Sequence, residues 1–250
     1  LKDVQYDKAE HLIKLSRVGI LNLEYPVTIR RPDREHEAII EMKMSVDLPA
    51  GQKGAHLSRF LEEIEESFSL PQETAAIENL AEKIALAQLE SHEYAENAVV
   101  ELRAKRNHNK KVYELRGSYD TNTGRKMVGV DVLGAIACPC SIELTEGLSH
   151  NQRAIISLEL ETNGIEVNAE DLIEICEGAF SAPVQLTLKR PKERELVKMM
   201  HANPRFVEDV VRKCVHELRR KYRGRYSRVK CIAQESIHPF DVFAEWSGEL

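Results

Sequence analysis

The stretch Leu21-Asn22-Leu23-Glu24-Tyr25-Pro26-Val27-Thr28-Ile29-Arg30 alternates between apolar and polar residues. Leu21, Leu23, Tyr25, Val27 and Ile29 fall on one face, and Asn22, Glu24, Thr28 and Arg30 on the other, which is the period-two pattern of a half-buried strand. A second run follows, with Ile40, Met42, Met44, Val46 and Leu48 set against Glu41, Lys43, Ser45 and Asp47, and it stops at Pro49. Two such runs in succession predict a hairpin, and the rest of the chain is read outward from it.

Past Pro49-Ala50-Gly51 the period changes. Leu57, Phe60, Leu61, Ile64 and Phe68 follow helical spacing, with Glu62, Glu63, Glu65 and Glu66 on the outer face. A second helix is expected from about Glu73 to Leu89, through Ile77, Leu80, Ile84 and Ala87. Two strands should follow, at Val100, Leu102 and Ala104 and at Tyr113, Leu115 and Gly117, across the polar turn Asn107 to Lys110. The second half rhymes with the first. Strand-like stretches at Met127–Ile136 and Ile155–Glu161 precede a helix near Ala169–Phe180 and a strand through Val184, Leu186 and Leu188. Then come a long helix carrying Phe206, Val210, Val211, Cys214, Leu218 and Tyr222, a strand at Val229–Gln234 and an extended tail. The order of strands and helices predicts an α+β fold made of two related units, 1–122 and 123–250, although the added strand near Val184 breaks the symmetry.

The composition bounds the class. With 250 residues, 42% apolar and 30% charged, and only 12 Gly and 9 Pro, the chain can bury a sizeable core and is neither collagen-like, low-complexity nor disordered. No run approaches the roughly 18 apolar residues of a bilayer span, and Leu1 to Glu10 lack the basic start and apolar core of a signal peptide. A soluble cytoplasmic protein is expected. The net charge of −6 argues against general nucleic-acid or membrane-surface binding. That total hides an uneven distribution: Lys189 to Lys230 holds 15 basic and 5 acidic residues, leaving 20 basic and 36 acidic elsewhere. An anion-attracting patch and a solvated helix face both account for such a run. Five cysteines, all in the second half, make no disulfide framework. Cys176, Cys214 and Cys231 sit in core patterns, whereas Cys138 and Cys140 stand apart.

Four constellations offer chemistry. Ala137-Cys138-Pro139-Cys140-Ser141, with Ser149-His150-Asn151-Gln152-Arg153 close behind, supplies a thiol and an imidazole suited to zinc or ferrous iron. The Cys-x-Cys spacing is not that of a zinc finger, and a buried Cys beside a surface His is an equal reading of the spacing alone. Lys53-Gly54-Ala55-His56-Leu57-Ser58-Arg59-Phe60 joins a permissive glycine, a helix start and four donor side chains, which would suit an oligophosphate. An ordinary loop before a helix explains it too. In Arg190-Pro191-Lys192-Glu193-Arg194 and Asn203-Pro204-Arg205-Phe206-Val207-Glu208-Asp209, helix capping accounts for much of the pattern. Ser236-Ile237-His238-Pro239-Phe240 places a His in an apolar, Pro-bounded tail.

Taken in order, these pieces resemble the type IB GTP cyclohydrolase I family. The carriers are Val46-Asp47-Leu48-Pro49, Lys53 to Phe60, Cys138-Pro139-Cys140-Ser141, His150-Asn151-Gln152-Arg153, Leu188-Lys189-Arg190-Pro191, Asn203 to Asp209 and Ser236-Ile237-His238. Ala55 and Leu57 stand where many relatives have Thr and Met, and Lys192 where an acid is common.

The resemblance implies tandem tunnelling-fold units that assemble into barrels, a homo-oligomer, expected to be a tetramer, and active sites between units. It implies hydrolytic opening of the guanine imidazole ring of GTP, loss of formate and formation of 7,8-dihydroneopterin triphosphate. By resemblance, Cys138, His150 and Glu193 hold one divalent metal, zinc, iron(II) or manganese. His238 transfers protons, and Glu208 anchors the guanine through two hydrogen bonds from its ring N–H and exocyclic amine. Lys53, His56, Ser58, Arg59, Gln152 and Arg153 are the expected remaining substrate contacts. An archaeal-type variant giving the 2',3'-cyclic phosphate is the near alternative. A basic RNA-binding module built on Arg219-Arg220-Lys221-Tyr222-Arg223-Gly224-Arg225-Tyr226 is the distant one, and it leaves Cys138, His150 and Glu193 unexplained. Neither nucleic acid nor membrane is an expected partner.

Overall fold

The hairpin is present. Strand β1 (Leu15–Arg30) pairs antiparallel with β2 (Glu35–Leu48), setting Tyr25 opposite Ile40 and Val27 opposite Ala38. The computed structural model describes residues 2–30, 35–73, 76–109 and 111–250, and only the backbone of His36. The alternation holds from Leu23 onward and slips before it. A register shift lies between Ile20 and Leu23, and Asn22 takes a φ of 60°, the left-handed region that Asn tolerates better than most residues. This bulge turns Leu21 outward to 64% exposure instead of placing it with Leu23 on the core face.

The remaining elements are α1 (Leu57–Ser67), α2 (Ile77–Ser91), β3 (Ala98–His108), β4 (Lys111–Asp120), β5 (Arg125–Ala137), α3 (Pro139–Leu144) and β6 (Asn151–Glu161). After them come α4 (Ala169–Ala179), β7 (Ala182–Pro183), α5 (Arg190–Ala202), α6 (Val207–Lys221), β8 (Tyr226–Gln234) and β9 (Asp241–Glu249). The residues after Glu73, where the second helix was expected to begin, and Lys110 of the expected polar turn lie outside the described residues.

The chain forms two compact units, one of residues 1–105 and 116–128, the other of residues 106–115 and 129–250. Strands β3, β4 and β5 contribute residues to both. In the first unit, α1 and α2 pack on each other and on the β1–β2 hairpin. Met42, Met44, Val100 and Leu102 from the strands are buried, as are Phe60, Ile64, Leu80 and Ile84 from the helices. Each such side chain contributes about 1.5–3 kcal/mol by leaving water. Gly117 permits the close approach, because a Cβ there would stand 2.6 Å from the backbone carbon of Ile77.

In the second unit β6, β8 and β9 form an antiparallel run, with Ile156 opposite Cys231 and Cys231 opposite Ala244. Helix α6 packs on β8, β9 and α4 through Val210, Val211, Cys214 and Leu218, the stripe that its sequence spacing predicts. The expected strand through Val184, Leu186 and Leu188 is a correction. Only Ala182 and Pro183 pair with β5, and Leu186 is 82% exposed. Pro183 carries no N–H for a ladder, and the chain then turns into α5 with Pro191 in its first turn. Helix α5 went unread because it buries only Met200 and shows little apolar periodicity. The extended tail is a true strand, β9, whose alternate residues Val242, Ala244 and Trp246 are the less exposed ones.

Candidate functional site

Strand β5 ends at Ala137, and Cys138 caps α3, whose first residue is Pro139, with φ already set for a helix. The Cys138 N–H donates to Ser149 Oγ at 2.7 Å, and Ser149 Oγ donates to the His150 carbonyl. These bonds hold Cys138 and His150 side by side, as the resemblance implies. His150 Nδ1 stands 3.3 Å from Ser236 Oγ and 3.9 Å from Glu235 Oε2, on the segment that leaves β8. Glu235 is the residue that sequence reasoning missed. Its carboxylate is 10% exposed, and its Oε1 accepts from Gln152 Nε2 at 2.9 Å. The signal was available in the register: Ala154 pairs with Ala233, so two residues further out Gln152 and Glu235 come level on the same face.

Glu193 lies in the first turn of α5, exposed, its N–H bonded to the Lys189 carbonyl. Among the described residues no three His, Cys, Asp or Glu side chains converge closely enough to hold a metal. The chemistry of the donors nevertheless fits a divalent ion: a soft thiol at Cys138, an imidazole at His150 whose Nδ1 faces oxygen atoms and whose Nε2 is left open, and a carboxylate beside them. Cys140 is exposed in α3. Gln152 is buried and Arg153, next along β6, is exposed.

Two carboxylates open α6, and they do different work. Asp209 Oδ2 accepts from the Phe206 N–H at 3.1 Å and faces Arg212 at 3.6 Å, so it caps the helix. Glu208 makes no hydrogen bond or ion pair among the described residues. It lines a groove of about 570 Å³ between α6 and β9 with Arg212, His216, Arg219 and Trp246. Behind it, burial first, then Cys214 and the Glu208 charge, push the Cys231 thiol up to about 12. Cys176, also buried beside Cys214, is raised too. His238 is exposed and stacks on Phe240 with ring centroids 5.0 Å apart.

The cluster expected to receive phosphates lies in the first unit and is closed by its own N-terminal segment. His56 Nε2 stands 2.9 Å from Asp3 Oδ2, and its ring centroid is 4.7 Å from that of Tyr6. The His56 bond holds the Asp3 carboxyl below its ordinary range. Arg59 donates to the Ser91 carbonyl at 2.7 Å and to Tyr6 Oη at 3.1 Å. The Lys53 and Gly54 N–H groups donate to the Asp7 and Gln5 carbonyls. Lys53 and Ser58 keep exposed side chains.

Much of the basic run is paired within the second unit. Lys213 and Arg220 hold Glu217, Lys221 holds Asp171 at 2.6 Å, Arg228 meets Glu159, and Arg219 lies over Trp246. No helix among the described residues is long and apolar enough to cross a membrane.

Comparison with known proteins adds the last piece. Solved uricases from Arthrobacter globiformis (TM-score 0.54, 8% identity, 94% of this chain and 93% of that one) and Bacillus fastidious (TM-score 0.52, 10% identity, 96% and 92%) are similar in fold. These are tunnelling-fold-like neighbours, which agrees with the mixed α+β architecture and antiparallel strands. The GTP cyclohydrolase MptA of Pyrococcus furiosus is 35% identical over 97% of this chain and 98% of its own length. The GTP cyclohydrolase FolE2 of Thermosipho africanus is 34% identical over 98% and 96%. The model of the family described as type I GTP cyclohydrolase folE2 matches residues 1–244, and the chain belongs to that family.

Proposed function

We propose that this enzyme hydrolyses GTP to 7,8-dihydroneopterin triphosphate and formate, the opening step of pterin synthesis. The observation that carries the reading is the cluster of Cys138, His150 and Glu235 in a chain of this family, with an uncommitted Glu208 in the groove along α6. Cys138, His150 and Glu193 would hold a divalent ion, and Glu235 is a further carboxylate beside them. When bound, zinc, iron(II) or manganese supplies a water made acidic enough to attack at neutral pH.

The chain's own groups do the rest. Glu208, free of cap duty, accepts the guanine ring N–H and exocyclic amine, a donor pair that adenine lacks. His238 is open to solvent on its loop and is placed to carry protons. Lys53 and Ser58 offer open donors to the triphosphate. His56 and Arg59 reach it once the segment from Asp3 to Tyr6 moves aside. The units that carry these two sets would meet in a homotetramer.

A second reading concerns the product. The relatives divide between MptA and FolE2 names at 35% and 34% identity, so the 2',3'-cyclic phosphate of the archaeal type stands beside the linear triphosphate. Anaerobic incubation with GTP and each metal in turn, with the product weighed by mass spectrometry, separates them. Absence of formate with every metal sinks both. Binding of RNA is disfavoured by the paired state of the basic run.

A further inference from the structure

Gln152 is 8% exposed, and its orientation is fixed. The Glu235 carboxylate can only accept, so the Gln152 amide must present its N–H₂ group to it, as the 2.9 Å contact requires. The amide oxygen is thereby turned away, and Gln152 Oε1 is buried without a partner. A buried acceptor left bare costs about 1–3 kcal/mol, more than one hydrogen bond returns. Glu235 repeats the pattern. Its Oε1 takes the Gln152 bond, while Oε2 stands 3.9 Å from His150 Nδ1, beyond hydrogen-bond range.

The pair thus presents two open acceptors, Gln152 Oε1 and Glu235 Oε2, next to Cys138 and His150. No donor of the chain answers the first of them. A small ligand with two donor hydrogens matches them. Water is that ligand, and hydrolysis of GTP requires one. A water that gives both its O–H groups to these oxygens keeps its lone pairs free for the carbon it attacks.

We propose that Gln152 is a positioning residue for the attacking water, fixing Glu235 with its N–H₂ group and sharing the water with Glu235 through Oε1. It forms no covalent bond and takes no proton. The inference rests on the cyclohydrolase reading and adds a role to it.

The test is Gln152→Met, which keeps the length and volume of the side chain and removes both hydrogen bonds, beside Gln152→Asn, which keeps the amide but withdraws it by one methylene. Both are expected to lose about 10–100-fold in kcat for formate release, the range seen when partners that orient a site's ligands are removed. KM for GTP, metal stoichiometry by mass spectrometry and the thermal midpoint should stay at wild-type values. Full kcat in the Met variant, or a loss of activity that follows metal content or folding, overturns the proposal. If the Met variant does not fold, the Asn variant gives the same split between kcat and KM. Wild-type protein that releases no formate with any metal removes the cyclohydrolase reading itself, and this role with it.

Discussion

The two units each carry a polar cluster around a histidine, and they differ in closure. Around His56 in the first unit the ring meets Asp3, Arg59 is divided between Ser91 and Tyr6, and the loop N–H groups bond to the N-terminal segment. Around His150 in the second unit, Gln152 Oε1 is bare, Glu235 Oε2 is unmatched by the nearby imidazole, and Glu208 stands uncommitted in its groove. Polar groups folded for stability are answered from within, because a bare buried group costs more than a made bond returns. Groups left open are being kept for something that arrives. By that contrast the second unit holds the reacting centre, and the first offers a surface that must open before it can bind.

The contrast breaks most sharply at Cys138. Cys138→Ala should lower formate release by more than about 100-fold with metal supplied, since a ligand matters more than the outer groups that orient it. A variant with full activity would remove Cys138 from the site. Glu208→Gln comes next: it keeps the shape and loses the charge on a carboxylate that would accept two hydrogen bonds. With bonds to charged groups worth about 1.5–3 kcal/mol, KM for GTP should rise about 10–100-fold. An unchanged KM would end the anchor role.

The fold was legible wherever periodicity reports burial. The β2, β6 and β8 runs, α1, and the stripe of α6 lie where apolar spacing places them. Helix α5 was not legible, because a helix that buries little leaves no apolar stripe. Leu21 was misplaced because a bulge shifts the faces by one residue and leaves no trace in an alternating pattern. Within the site, the short motifs carried Cys138 and His150, whereas Glu235 becomes visible only when the β6–β8 register sets it level with Gln152. The closure of His56 was equally hidden, since Asp3 lies 53 residues away along the chain.

A smaller effect tests the buried side of the second unit. Burial raises Cys231 to about 12 from an ordinary 9.0, so the folded chain holds that proton more tightly than the unfolded chain does. The stabilisation is therefore complete below pH about 9 and is lost as pH rises toward 12. Urea titrations at pH 8 and pH 10.5 should show a loss from this group of about 1–2 kcal/mol, reduced in Cys231→Ala. Equal slopes in the two proteins would show that Cys231 is not sealed. The same burial makes Cys138 and Cys140 the thiols that a water-soluble reagent should label in the native protein, while Cys176, Cys214 and Cys231 stay protected.

The smallest effect falls on the closed cluster, and its smallness is what the contrast requires. Asp3→Asn removes the charge that meets His56, on a residue whose side chain is 46% exposed, so screening by water limits the cost. The Asp3 carboxyl is held below its ordinary range, so its contribution to stability is present above that range and is lost as pH falls through the lowered value. At neutral pH the variant should melt slightly earlier, and kcat should not move, because Asp3 touches nothing in the second unit's cluster. KM for GTP is the informative number. If His56 serves only to seat the N-terminal segment, KM stays within about twofold of wild type, the scale of an exposed pair. If His56 is a phosphate donor held shut by Asp3, releasing it lowers KM, and the first unit's cluster then belongs with the second's as part of one substrate site.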